Sequence, residues 1–149
     1  MTNRLASRTA TATAVGAAEW EQPKILTIDD DPNIAQALQR LFHRFDVVVL
    51  QAYHGMHGVW LATVEMPDVI VTDLRMPQGQ GQNVVDYLRR NPKTRHIPII
   101  VLTGLRDPDL ERRMWKLGID GYLTKPVDFQ ELCAVVGRYV PLQERAEEQ

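Results

Sequence analysis

The apolar residues of this chain form short continuous runs, and these runs alternate with stretches of helical periodicity. The runs fall at residues 25–28, 47–50, 69–71, 97–102 and 122–123. Between them, apolar side chains recur every three or four residues, as they do on one face of a helix. Continuous rather than alternating runs are what a parallel sheet covered on both faces requires. The pattern therefore predicts an α/β domain of five strand–helix units around a doubly wound parallel sheet.

Local signals place some of the helix ends. Asp31 stands directly before Pro32, which predicts an N-cap followed by a proline at the first helical position. Gly118 suits the C-terminal cap of the fourth helix. The second helix is predicted from the helical spacing of Met56, Val59, Trp60 and Val64.

Regular patterning begins at Lys24 and fades after Val140. We therefore expect a domain over residues 24–140, with a leader over residues 1–23 and a C-terminal tail over residues 141–149. The leader is rich in Ala, Thr and Ser and has no acidic residue before Glu19. It loosely resembles an organelle transit peptide, but a disordered leader is the preferred interpretation.

Composition narrows the class of protein. A chain of 149 residues with 44% hydrophobic and 24% charged residues is typical of one soluble domain with tails. A net charge of -2 gives no electrostatic reason to expect direct nucleic-acid binding. Cys133 is the single cysteine, so no internal disulfide can form. No apolar run approaches the roughly 20 residues of a membrane span, so we expect a cytoplasmic protein without membrane contact.

Polar residues follow four of the five predicted strands. Asp29 and Asp30 follow the first strand, Asp73 the third and Thr103 the fourth, and the fifth leads to Lys125. Ligands of open parallel sheets bind at these carboxyl ends. Crowded carboxylates repel one another, and Mg²⁺ (or Mn²⁺) resolves the conflict because it prefers oxygen ligands. A carboxylate so placed can attack a phosphoryl group while the metal, the lysine and the hydroxyl stabilise its charge.

Four segments carry a resemblance to a known family, the receiver domain of two-component response regulators. They are ILTIDDD at residues 25–31, VTDLRMP at 71–77, VLTG at 101–104 and YLTKP at 122–126. The segments occur in the family's order, and the resemblance covers residues 24–140. It implies a flavodoxin-like (βα)₅ sandwich whose five parallel strands lie in the order 2-1-3-4-5.

The resemblance implies a role for each matching residue. Asp73 would be the phosphorylation site. Mg²⁺ would be bound by the side chains of Asp30 and Asp73, by Asp29 directly or through water, and by the main-chain carbonyl of Arg75. The phosphoryl group would be held by Thr103, Gly104 and Lys125. The peptide bond between Lys125 and Pro126 would be cis, which proline tolerates.

The resemblance also implies a switch and partners. Thr103 would move toward the phosphoryl group, and Tyr122 would turn into the space that this leaves. The face made by the fourth helix, fifth strand and fifth helix would then change shape and contact an unknown protein target. The phosphoryl donor would be a sensor histidine kinase or a histidine phosphotransfer protein. The domain would be no enzyme beyond self-catalysed phosphotransfer and autodephosphorylation.

Two other functions compete with this one. A haloacid-dehalogenase-like, Mg²⁺-dependent phosphatase would use Asp29 as nucleophile and Asp31 to complete a D-x-D motif. Against it, Pro32-Asn33 stands where that family usually has Gly-Thr, and Asp73 is left without a role. The other alternative is an inactive receiver used only for interaction, but every expected site residue is present.

Overall fold

The computed structural model describes residues 21–76 and 81–146. The strands are β1 (Lys24–Ile28), β2 (Val48–Ala52), β3 (Val69–Thr72), β4 (Ile99–Thr103) and β5 (Gly121–Thr124). The helices are α1 (Pro32–His43), α2 (Gly55–Glu65), α3 (Gly81–Arg90), α4 (Pro108–Leu117) and α5 (Phe129–Val136). All strand pairs are parallel, in the order β2-β1-β3-β4-β5. The predicted (βα)₅ fold and its strand order are therefore confirmed.

The core lies in two layers, one on each face of the sheet. Successive side chains of a strand point to opposite faces. In β4, Ile99 and Val101 therefore join the layer beneath α2, α3 and α4, whereas Ile100 and Leu102 join the layer beneath α1 and α5. All four side chains are buried. This double coverage is why the strands read as continuous apolar runs.

The start of α1 and the end of α4 lie where the local signals predict. The Asp31 carboxylate accepts a hydrogen bond from the Asn33 N–H at 2.9 Å, and Pro32 opens α1. Gly118 ends α4 in the left-handed region, with φ of 99°. Across the part of the chain that the structure describes, no helix is both long and apolar enough to cross a membrane.

Helix α2 packs on the sheet through its smallest residues. Gly55, Gly58 and Ala62 are buried, and a Cβ added to Gly58 would lie 2.4 Å from Cδ1 of Ile28 in β1. The apolar spacing predicts the helix correctly, but it does not mark its buried face. The exposed fractions of Met56, Trp60 and Val64 are 61%, 58% and 56%.

The chain after α5 runs back against the connection between α1 and β2. The Asp46 N–H donates to the Gln143 carbonyl at 2.8 Å, and the Arg145 N–H donates to the Arg44 carbonyl at 2.9 Å. The Arg145 guanidinium also donates to the His43 carbonyl at 2.9 Å. The first part of the predicted tail thus contacts the domain. Residues 147–149 and residues 1–20 of the predicted leader lie outside the described residues.

Candidate functional site

The main chain itself positions three of the predicted site residues. The Asp29 N–H donates to the carbonyl of the last residue of β2 at 3.0 Å. The Asp73 N–H donates to the last residue of β1 at 2.9 Å, and the Lys125 N–H to the last residue of β4 at 2.8 Å. The hydrogen-bond ladder therefore extends one residue beyond each strand. It holds the three side chains at one edge of the sheet.

Three carboxylates meet at this edge. One oxygen each from Asp29, Asp30 and Asp73 lie within 4.8 Å of one another. Asp29 and Asp73 are buried, whereas Asp30 is exposed. The Lys125 ammonium donates to Asp29 Oδ2 at 2.8 Å and to Asp73 Oδ2 at 3.0 Å. One cation among three carboxyl groups leaves an excess of negative charge, and such an all-oxygen donor set fits a hard divalent cation.

Hydrogen bonds fix the orientation of the two buried carboxylates. Asp73 Oδ1 accepts from the main-chain N–H groups of Leu74 at 2.7 Å and Arg75 at 3.1 Å, while Oδ2 faces Lys125. Asp29 Oδ1 accepts from the Asp31 N–H at 2.9 Å. Hydrogen bonds to an ionised carboxylate are among the stronger ones in proteins. Both groups are therefore held in place before any ligand arrives.

Burial and charge oppose each other at this site. Burial raises the pKa of Asp29 above its ordinary value, although the hydrogen bonds from Lys125 and the Asp31 N–H act in the opposite direction. Burial alone would lower the pKa of Lys125, but its hydrogen bonds to Asp29 and Asp73 outweigh this effect, and the pKa is raised. The lysine therefore stays protonated at neutral pH. Without a further cation, the ionised form of Asp29 therefore lowers the stability of the fold.

Thr103 and Tyr122 hold the same residue of the loop between β4 and α4. The Leu105 N–H donates to Thr103 Oγ1 at 3.3 Å, and the Tyr122 hydroxyl donates to the Leu105 carbonyl at 2.9 Å. Thr103 is fully buried, and Tyr122 is partly buried. Burial raises the pKa of the Tyr122 phenol, and the carboxylates of Glu111 and Asp107 add to this. The phenol therefore remains a hydrogen-bond donor at neutral pH.

The surroundings of the remaining predicted residues are simpler. Gly104 is exposed, and a Cβ at this position would meet no described atom within 4 Å, so the space beside Thr103 is open. The Arg75 side chain is exposed. The peptide bond between Lys125 and Pro126 is cis. The structure thus brings Asp29, Asp30, Asp73 and Lys125 together, with Thr103 and Tyr122 linked through the neighbouring loop.

The sequence did not predict that Leu105 links Thr103 to Tyr122. The sequence gives no signal for it, because Leu105 acts through its main-chain N–H and carbonyl rather than its side chain. The sequence also did not predict the main-chain hydrogen bonds that extend one residue beyond the strands. These bonds depend on which strands are neighbours in the sheet.

Comparisons with known proteins agree on one family. A family model described as the response regulator receiver domain matches residues 25–137. The DNA-binding dual master transcriptional regulator RpaA of Synechocystis sp. is 39% identical over 76% of this chain and 47% of its own length. Hybrid signal transduction histidine kinase D of Dictyostelium discoideum is 32% identical over 77% of this chain and 7% of its own length. The chain thus spans less than half of either relative.

A solved structure supports the same grouping. The chemotaxis protein CheY4 of Vibrio cholerae superimposes with a TM-score of 0.75 and is 26% identical. The match covers 80% of this chain and 100% of that one.

Proposed function

Because the chain belongs to the response regulator receiver domain family of two-component systems, we propose that it accepts a phosphoryl group on Asp73 and signals through a protein–protein surface. One observation carries the proposal. The Lys125 ammonium bridges the buried carboxylates of Asp29 and Asp73, and Asp30 lies beside them. This is the charge arrangement that a carboxylate nucleophile for phosphoryl transfer needs.

The donor is a phosphohistidine of a sensor histidine kinase or a histidine phosphotransfer protein. Receiver domains occur together with such kinases, and one relative is itself a hybrid kinase. In the transfer, an Asp73 oxygen forms a bond to phosphorus while the bond between phosphorus and the histidine nitrogen breaks. The nitrogen keeps the electron pair. The main-chain N–H groups of Leu74 and Arg75 hold Asp73 in one orientation throughout.

The carboxylates of Asp29, Asp30 and Asp73 fit Mg²⁺ (or Mn²⁺), and the carbonyl of Arg75 would complete the protein ligands. When bound, the metal neutralises charge on the transferring phosphoryl oxygens. The Lys125 ammonium supplies a second positive charge at the same place. Thr103 donates its hydroxyl to another phosphoryl oxygen, and the open space at Gly104 admits the group.

The switch follows from the hydrogen bonds of the β4–α4 loop. The Thr103 hydroxyl cannot both receive the Leu105 N–H in its present position and move to a phosphoryl oxygen. Its movement therefore pulls on the loop that Tyr122 also holds. The face formed by α4, β5 and α5 carries the change to a protein target. The receiver domain spans residues 24–140 and acts in the cytoplasm, with no catalytic activity beyond its own phosphorylation and dephosphorylation.

The phosphatase alternative with Asp29 as nucleophile is not favoured. Asp31, which would complete its D-x-D motif, is exposed and caps α1 instead.

Phosphorylation by acetyl phosphate tests the proposal. With Mg²⁺ present, intact-mass spectrometry should show the addition of one phosphoryl group, and Asp73→Asn should abolish it. Asp109→Asn is the matched control, because Asp109 is an exposed aspartate on α4. Labelling that persists in Asp73→Asn contradicts the proposal, as does turnover of a phosphate ester that disappears in Asp29→Asn.

A further inference from the structure

Positive charge is concentrated where α3 and α4 end. Residues 89–95 contain four basic residues and residues 112–116 contain three, and neither segment contains an acidic one. These two short segments therefore hold seven of the 17 lysines and arginines of a chain whose net charge is -2. The charge of the chain is thus unevenly distributed, with a local excess of positive charge at this end of the two helices.

The Arg89 side chain joins the two segments. Its Nε donates to the Gly118 carbonyl at 2.9 Å, and its Nη1 donates to the carbonyls of Arg95 at 3.2 Å and Ile97 at 2.8 Å. Its Nη2 donates to the Asp120 carboxylate at 3.1 Å, and the side chain is only 16% exposed. One guanidinium therefore holds the end of α4 against the connection between α3 and β4.

Four other cations lie on these segments without a counter-charge. All four are exposed, and within residues 21–76 and 81–146 none of them forms an ion pair. The remaining three, Arg89, Arg90 and Arg112, each pair with an aspartate. We call the four uncompensated side chains the basic edge: Lys93, Arg95, Arg113 and Lys116.

Helix stability accounts for only one of these four charges. A cation stabilises a helix when it lies in the last turn, close to the free carbonyl groups. Lys116 lies in the last turn of α4, but Arg113 precedes that turn. Lys93 and Arg95 lie beyond the end of α3. Three of the four charges therefore have no role in ending a helix.

We propose that the basic edge binds a short acidic segment of a partner protein, independently of the phosphorylation of Asp73. The four cations complement carboxylates, and Arg95 and Arg113 can each hold a carboxylate through two parallel N–H bonds. Because Arg89 already fixes the two segments relative to each other, little main-chain freedom is lost on binding.

The charge of the rest of the chain favours a short acidic segment over a nucleic acid. A nucleic acid presents phosphates along its whole length. Outside the basic edge the chain has an excess of acidic residues, since its net charge is -2. A long polyanion would meet this negative charge on leaving the edge, whereas a segment with a few carboxylates would not.

The position of the basic edge makes it independent of the phosphorylation site. Ile97 and Asp120, which accept hydrogen bonds from Arg89, precede β4 and β5. Thr103 ends β4, and Lys125 directly follows β5. The basic edge and the carboxylate cluster thus lie at opposite ends of the sheet. Binding at the edge needs neither Mg²⁺ nor a phosphoryl donor.

Fluorescence anisotropy of a fluorescein-labelled deca-glutamate peptide, with the full chain in EDTA, tests the proposal. The peptide should bind saturably, and binding should weaken as NaCl is raised from about 50 mM to about 300 mM. Arg95→Glu and Arg113→Glu should each weaken binding by about fivefold or more, whereas Arg40→Glu should leave it within about twofold. Arg40 is the matched control, because it is an exposed arginine on α1. Thermal unfolding checks the fold of each variant, and Lys93→Glu replaces one that does not fold.

Three results would overturn the proposal. The first is a wild-type chain that does not bind the peptide. The second is an equal loss of binding in Arg40→Glu, which would show that only the overall charge matters. The third is a fluorescein-labelled DNA duplex that binds more tightly than the peptide and is lost in the same variants, which would assign the edge to nucleic acid.

Arg89→Lys separates the arrangement of the charges from their number. Lysine keeps the positive charge, but its three N–H donors cannot satisfy the four acceptors that Arg89 holds. Measured below the unfolding temperature of the variant, peptide binding should therefore weaken although the net charge is unchanged. Binding equal to that of the wild type would show that the edge is not held ready by Arg89.

Discussion

Replacing Lys125 by Met removes the ammonium that lies between Asp29 and Asp73. It leaves two buried carboxylates facing each other, with Asp30 close by. Removing one partner from a buried ion pair costs about 3–5 kcal/mol, because the remaining charge stays buried without compensation. The Lys125 side chain is 19% exposed, so solvent screens part of the effect. We therefore expect the free energy of unfolding to fall by about 3 kcal/mol, a large share of the about 5–15 kcal/mol typical of a domain.

The pH dependence distinguishes charge from packing. In the wild type, Lys125 has a raised pKa, so its contribution is complete below its unfolded-state pKa of about 10.4 and is lost only as pH rises through the higher folded-state value. In Lys125→Met, Asp29 loses a hydrogen bond and a charge that lower its pKa, so its pKa rises further. The stability deficit should therefore shrink as pH falls from 7 toward 5, because Asp29 takes up a proton more readily in the folded state.

Urea unfolding followed by far-ultraviolet circular dichroism, in EDTA at pH 7 and pH 5, measures both effects. Lys116→Met serves as the control, because Lys116 is exposed on α4. Saturating Mg²⁺ should reduce the deficit of Lys125→Met, since a bound cation offsets the same carboxylates. A variant as stable as the wild type at pH 7 in EDTA refutes the reasoning. A deficit that is equal at both pH values shows that lost packing, not charge, is responsible.

Three further predictions follow from the same structure. Asp29→Asn should raise the free energy of unfolding at neutral pH in EDTA. The reason is that the pKa of Asp29 is raised in the folded state, so its ionised form destabilises the fold at pH values above the unfolded-state pKa. The same variant should lose stabilisation by Mg²⁺ in thermal melts, because it lacks one carboxylate of the donor set. Gly58→Ala gains about 1 kcal/mol of helix propensity but loses about 1–3 kcal/mol to overpacking against Ile28. Urea unfolding should show a net loss that becomes smaller when Ile28→Val is also present. Tyr122→Phe removes a hydrogen bond worth about 1 kcal/mol, so amide hydrogen exchange should speed up in the β4–α4 loop, and unchanged exchange there would contradict the link.

The sheet and most of the candidate site could be predicted because both depend on local signals. Strands covered on both faces leave continuous apolar runs in the sequence. Parallel strands also bring their carboxyl ends to one edge, which is why Asp29, Asp73 and Lys125 could be grouped from the sequence alone.

What could not be predicted depends on contacts between distant parts of the chain. The apolar stripe of α2 was visible, but its exposure follows from the close approach of Gly58 to Ile28. The pairing of Arg145 with Arg44 joins residues far apart in sequence, without a local signal.

The junction at Leu105 has a consequence for variation of the loop. Thr103 and Tyr122 are joined through the N–H and the carbonyl of Leu105, and every residue except proline supplies both groups. The side chain at position 105 can therefore change without breaking the connection between Thr103 and Tyr122. Leu105→Pro is the exception, because it removes the N–H and should uncouple the two.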